Sequence, residues 1–86
     1  MTFPSRGTVE FWRLYRALPV EVRELAQKNY RLGSANAFHP SLYFKSIGKS
    51  GWSVRVSGRY RAVGKFSGNT FLWEWIGSHE EYNKRF

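Results

Sequence analysis

Four side chains in the second half of the chain, Arg55, Arg61, His79 and Tyr82, are of types that could cleave a phosphodiester without a metal. In that reaction the 2′-hydroxyl of RNA attacks the adjacent phosphorus. A base takes its proton, an acid protonates the departing 5′-oxygen, and cations stabilise the charge that builds on the phosphoryl oxygens. Imidazole ordinarily titrates near neutrality, which makes His79 the candidate base or acid. Arg55 and Arg61 can clamp phosphate oxygens through paired N–H donors. Tyr82, one helical turn beyond His79, could donate a proton or stack on a base. Each also has a plainer reading: His79 as the opening residue of a helix, Tyr82 as the anchor of a C-terminal tail.

Other chemistries find little support. His39 and His79 stand apart, and there is no Asp and no Cys, so no metal-ligand spacing arises and neither a metal nor a cofactor is expected. His39, ahead of Pro40 in a loop, reads as structural. Glu80 and Glu81 are adjacent and point in different directions, and neither a nucleophile elbow nor a phosphate-binding glycine loop is present.

Fourteen Lys and Arg against six acidic residues give a net charge of +8. The distribution is sharper than the total, because no acidic side chain falls between Glu24 and Glu74 while Lys28, Arg31, Lys45, Lys49, Arg55, Arg59, Arg61 and Lys65 all do. Such a surface attracts polyanions by counterion release and steering, so nucleic acid or an acidic protein is the expected partner. Lys45, Lys49, Arg59 and Lys65 are the candidate RNA-binding residues around the catalytic set. An 86-residue chain without cysteine must build one small domain on its aromatic side chains, 19% of the sequence. With no signal-peptide pattern and no long apolar run, the cytoplasm is the expected location and no membrane contact is expected.

The elements that must position these residues follow from periodicity. Phe11, Leu14, Tyr15 and Leu18 predict a first helix over about residues 9–17 with Thr8 as N-cap. Pro19 opens a second helix carrying Val22, Leu25, Ala26, Asn29 and Tyr30, with Gly33 as its C-cap. "MTFPSRG", broken by Pro4 and Gly7, predicts no strand and leaves a sheet edge uncovered. From Leu42 the period changes to two, predicting strands over 42–47, 51–57, 60–67 and 70–77 and then a short helical tail. The fold class is therefore α+β: an α-hairpin packed on one face of a mainly antiparallel four-stranded sheet.

Register decides which residues share a face. "SGNT" implies a two-residue loop at Gly68–Asn69, pairing Ser67 with Thr70, Phe66 with Phe71, Gly64 with Trp73 and Ala62 with Trp75. A three-residue loop at 57–59 pairs Val56 with Tyr60, Val54 with Ala62 and Trp52 with Gly64, whereas a two-residue loop would turn Arg55 onto the apolar face. Arg55 then lies opposite Arg61, and Arg61 opposite Ile76, with His79 beside the pair. Opposed like charges are destabilising, and tolerating them suggests an anion between them.

The order helix, "LP", helix, then "HPSLYFK", "WSVRVSGRYRAVG" and "WIGSHEEY", resembles the RelE/ParE superfamily of toxin–antitoxin toxins over roughly residues 8–85. The resemblance implies a type II toxin of the RelE branch: a metal-independent endoribonuclease that cuts mRNA on the ribosome, inhibits translation and is neutralised by a cognate antitoxin. By position, Arg55, Arg61, His79, Tyr82 and Lys45 fall on the family's basic and C-terminal site positions. The ParE branch, which poisons DNA gyrase, and a catalytically inactive relative that binds only RNA or antitoxin are the alternatives the resemblance allows. Ser53 replaces a second lysine found in some relatives, and neither middle strand carries a glutamate base.

Overall fold

The computed structural model describes residues 4–36 and 42–86; His39 and the N-terminal three residues lie outside them. In chain order the elements are β1 (Ser5–Gly7), α1 (Val9–Arg16), α2 (Val20–Ala35), β2 (Lys45–Ile47), β3 (Gly51–Ser57), β4 (Tyr60–Ser67), β5 (Thr70–Ser78) and α3 (His79–Arg85). The strands form one five-stranded sheet in the order β1-β5-β4-β3-β2, antiparallel except where β1 runs parallel to β5. α1 and α2 pack on one face, and α3 packs against β4 and β5. The α+β architecture is the one expected, with one strand more.

That extra strand corrects the reading of "MTFPSRG". Pro4 lacks only a donor; its carbonyl accepts from Phe71 N–H at 2.8 Å, and Thr8 N–H donates to the Trp73 carbonyl at 2.9 Å, so the ladder runs past both ends of β1. Gly7 is required rather than disruptive. A Cβ there would stand 2.7 Å from Phe11 Cδ2 and Trp12 Nε1, where α1 turns back over the strand.

The helices form where their caps and apolar faces allow. Thr8 Oγ1 accepts from Phe11 N–H at 3.0 Å and caps α1, whose Phe11 is buried. Pro19 precedes α2, whose Val22 is buried. Gly33 is not the C-cap. It is buried inside α2, which continues to Ala35 because extended Asn36 ends it, donating to the Leu32 carbonyl at 2.9 Å. The predicted strand over 42–47 begins only at Lys45, because Tyr43 takes a left-handed backbone (φ 47°) that no strand accommodates.

Register holds at Ser67–Thr70, Phe66–Phe71 and Gly64–Trp73, with Gly68 at φ 63° in the two-residue turn. It then shifts: Glu74 is an extra residue, so Trp75 faces Val63, Ile76 faces Ala62, and Gly77 rather than Ile76 faces Arg61. Trp75 therefore leaves the helix-covered face. Phe71, Trp73, Val54, Ala62 and Ile76 form the main core with Phe11 and Val22, while Trp75 joins Val63 and Tyr82 in a second cluster under α3. Val63, set between Arg61 and Lys65 on the open face, is the apolar residue that needs this partner.

The β3–β4 loop also differs from expectation. Ser57 pairs with Tyr60, so the turn has two residues, Gly58 and Arg59; a bulge at Val56 then restores the Arg55–Arg61 pairing. The bulge keeps Arg55 off the apolar face while Val56 stays buried, so a two-residue turn meets the constraint that the three-residue loop was expected to meet.

Candidate nucleic-acid interface

The open face carries its charge at the turn end of β3 and β4. Arg55 and Arg61 are Cα partners. Both guanidinium groups are seated on aromatic rings: Arg55 Cζ lies 5.0 Å from the centroid of Tyr43, and Arg61 Cζ 5.2 Å from that of Tyr82. Arg55 Nη2 reaches toward the turn, 3.7 Å from where a Cβ on Gly58 would stand. Among the described residues, the ion pairs are Arg13–Glu10, Lys65–Glu74 and Lys84–Glu81, and none involves Arg55, Arg59 or Arg61. Arg61 Nε is buried without a hydrogen-bond partner among the described residues, as is Oγ of Ser53, two positions before Arg55 on β3.

His79 joins the cluster through its backbone. Tyr60 pairs with Ser78, and the next N–H, that of His79, donates to the Arg59 carbonyl at 2.6 Å, docking the start of α3 on the β3–β4 turn. Ser78 caps α3 through Oγ, accepting from Glu81 N–H at 3.1 Å. The imidazole is exposed, with its ring centroid 6.0 Å from that of Tyr82. Tyr82 is only 8% exposed and packs against Trp75 and Phe86 as well as beneath Arg61. Its ring is thus a support for a guanidinium, with little surface left for stacking on a base.

The outer cations divide. Arg59 is exposed in the turn beside His79. Lys45 is exposed on β2 opposite Ser53, one step along the sheet from the Arg55–Arg61 row. Lys49 sits in the β2–β3 turn at the far end of β3, and Lys65, opposite Gly51, is there too, about 13 Å along β4 from Arg61 at 3.3 Å per residue. Lys65 Nζ is 3.6 Å from Glu74 Oε2. Among the described residues, no three His, Cys, Asp or Glu side chains are gathered as a metal site would need, and no helix is long and apolar enough to cross a membrane.

One residue that steadies the site was read only as part of a helix stripe. The Asn29 amide on α2 donates to the carbonyls of Val56 at 2.6 Å and Arg55 at 3.3 Å, satisfying the bulge that aims Arg55 at the open face. The signal available was a polar side chain on an otherwise apolar helix face.

An α-hairpin on one face of a mostly antiparallel five-stranded sheet, with a short C-terminal helix beside an arginine pair that forms no ion pair among the described residues, defines a small α+β protein. The model of the ParE-like toxin domain matches residues 20–84. The chain therefore belongs to the ParE-like toxin family. Its fold is shared with a RelE–RelB antitoxin–toxin complex from Methanococcus jannaschii (TM-score 0.73, 16% identity, covering 93% of this chain and 96% of that one). A YoeB/ParE toxin from Agrobacterium tumefaciens is comparable (TM-score 0.70, 17% identity, 88% and 98% covered), as is YafQ from E. coli strain BL21(DE3) (TM-score 0.63, 11% identity, 93% and 97% covered). No curated protein matches the chain significantly.

Proposed function

We propose that this toxin is a metal-independent endoribonuclease that cleaves mRNA on the ribosome and is neutralised by a cognate antitoxin. The observation that carries the reading is the Arg55–Arg61 pair, held by rings instead of carboxylates and joined to His79 through Arg59. A guanidinium seated on a ring face is fixed in place while its terminal N–H donors stay free for phosphate oxygens, the Nε of Arg61 being buried. In this reading His79, exposed at the strand end, exchanges the proton at the 2′-hydroxyl or the leaving oxygen. Arg55 and Arg61 stabilise the phosphorane-like charge, and Arg59 and Lys45 hold flanking phosphates. Tyr82 acts by positioning Arg61, a narrower role than proton donor. The antitoxin partner is supported by the complex in which the M. jannaschii relative was solved, and its binding segment would be acidic to meet this surface.

Gyrase inhibition is the ParE-branch alternative; the matching family model carries the ParE-like name, and the Tyr82 ring is largely taken up in packing beneath Arg61. Primer extension on a defined mRNA bound to translating ribosomes separates the two. Cleavage in the A-site codon, reduced about 10²–10⁴-fold by His79→Ala, is the expected outcome. Intact mRNA with the wild-type protein, together with DNA-damage signalling on expression, would transfer the assignment to gyrase. Intact mRNA without such signalling would leave the inactive, binding-only alternative.

A further inference from the structure

Tyr43 supports Arg55 with one face of its ring, and neither the core nor the catalytic reading accounts for the other. It is 56% exposed and belongs to neither apolar cluster. Its φ of 47° is a left-handed conformation that a bulky aromatic residue adopts only at a cost in free energy. It directly follows Leu42, which is 1% exposed and locked into the core, so the chain turns abruptly to send one side chain inward and the next outward. What the turn achieves is visible at Arg55, whose guanidinium lies over one face of the Tyr43 ring at 5.0 Å. With that face covered, an exposure of 56% comes from the opposite face and the edges.

We propose that Tyr43 is a stacking platform for an unpaired nucleobase of the RNA, next to the phosphate gripped by Arg55. An aromatic face backed by a cation and open on its other side is what single-stranded nucleic acid uses for base stacking, and every base has a π-face to offer. Exposed Lys45, two residues further on, provides a cation for the adjoining phosphate. The backbone aims the side chain outward and the Arg55 guanidinium backs one face of the ring, so less side-chain freedom has to be lost when the base arrives. Tyr43 is thus a substrate-positioning residue and takes no part in proton transfer. The assignment rests on the ribonuclease reading for the identity of the strand, and binding tests it without any cleavage.

The experiment compares the affinity of the wild type, Tyr43→Phe, Tyr43→Ala and Tyr43→Gly for a short fluorescein-labelled single-stranded RNA and for inorganic polyphosphate. Loss of one stacked base lowers RNA affinity about 5–150-fold in the Ala and Gly variants. Tyr43→Phe keeps the affinity within about twofold, since the π-face is retained, and in the Ala and Gly variants polyphosphate binding falls much less than RNA binding, since polyphosphate loses only the ring's support of Arg55 and has no base to stack. The Gly variant, whose backbone suits φ 47°, melts within about 5 °C of the wild type. On ribosomes Tyr43→Ala raises KM more than it lowers kcat. Equal losses on RNA and polyphosphate would overturn the proposal, reducing Tyr43 to a prop for Arg55. So would unchanged RNA binding in Tyr43→Ala, loss of an acidic antitoxin peptide's affinity alone, or a fall in Tm of about 10 °C in the Gly variant. If the stacking pattern holds while the wild type leaves ribosome-bound mRNA intact, the ribonuclease reading fails and the RNA platform stands.

Discussion

The two ends of the β3–β4–β5 ribbon treat positive charge in opposite ways. At the far end Lys65 is 3.6 Å from Glu74, the extra residue of the β5 bulge, with both side chains partly exposed. At the turn end Arg55 and Arg61 face each other, and each rests on a tyrosine ring. A carboxylate neutralises a cation and occupies its donors. A ring face holds the cation and leaves its donors free. The same ribbon thus carries one cation that is paired with a carboxylate and two that are positioned without one. In the proposed reading, positioning without pairing marks where an anion is received, a stronger criterion than the sum of charges along the chain.

The largest break in this comparison comes from removing a ring. Tyr82→Ala takes a buried aromatic from beneath Arg61 and from the cluster with Trp75 and Val63. About 3–5 kcal/mol of stability should be lost, a large part of what a small domain has; urea unfolding measures it. Tyr82→Phe should stay within about 1 kcal/mol and retain RNA cleavage, because the ring is the support. A large loss of cleavage in a stable Tyr82→Phe protein would return the hydroxyl to the proton-transfer role.

Next in size is removal of a positioned cation. Arg61→Ala should lower cleavage about 10²–10³-fold, the usual cost of deleting one preorganised donor to developing charge. Stability should be unchanged or higher by about 0.2–1 kcal/mol, since two like charges on opposed positions are separated. Arg61→Lys should not restore activity, because a point charge lacks the planar fork. Activity lost only in parallel with stability would make Arg61 structural.

Legibility in the sequence follows the same division. The Phe66–Phe71 pairing was readable because alternation of side chains is strict next to a turn of known type, whereas Arg55–Arg61 came out right from a loop one residue too long because the bulge at Val56 supplies the same offset. Alternation fails at a bulge, so the Trp-Glu-Trp run placed Trp75 on the wrong face and Ile76 opposite Arg61. Val63, apolar between Arg61 and Lys65, was the residue that demanded otherwise. β1 escaped because three residues are too few to show a period, and its hydrogen bonds use the Pro4 carbonyl, to which rules about proline's missing N–H do not apply. In the site, the residue types at Arg55, Arg61 and His79 were enough to suggest the chemistry proposed above. The rings that hold the arginines could not be read this way, since an exposed Tyr43 after a loop and a Tyr82 in a tail gain meaning only from tertiary contact.

A smaller effect is expected at the paired end. Lys65 was assigned to RNA binding on charge alone, yet Glu74 already answers it. Lys65→Gln should change RNA affinity much less than Arg61→Ala does, and the double variant with Glu74→Gln should cost under about 1 kcal/mol of stability, as exposed pairs do. A loss on Lys65→Gln as large as on Arg61→Ala, read by salt-dependent RNA binding, would erase the distinction between paired and positioned charge.

The smallest effect sharpens the paired case at a site remote from RNA. Arg13 donates to both carboxylate oxygens of Glu10, at 2.7 and 2.6 Å, on the exposed side of α1. This hydrogen bond from Arg13 holds the Glu10 carboxyl below its ordinary range and raises Arg13 correspondingly, with the Arg13 charge and the more distant Arg85 adding to the lowering at Glu10. A depressed carboxylate contributes stability that is fully present above its unfolded-state value and is lost as pH falls through the lowered folded-state value. The difference in Tm between the wild type and Glu10→Gln should therefore be present at about pH 7 and vanish by about pH 2, below the carboxylate range. Because both side chains are in solvent, the difference should be slight and should shrink with added salt. RNA affinity should not follow it, since this pair is closed upon itself. A shift in RNA affinity on Glu10→Gln matching that of Arg61→Ala would mean that net charge, rather than the unpaired arginines, draws the polyanion.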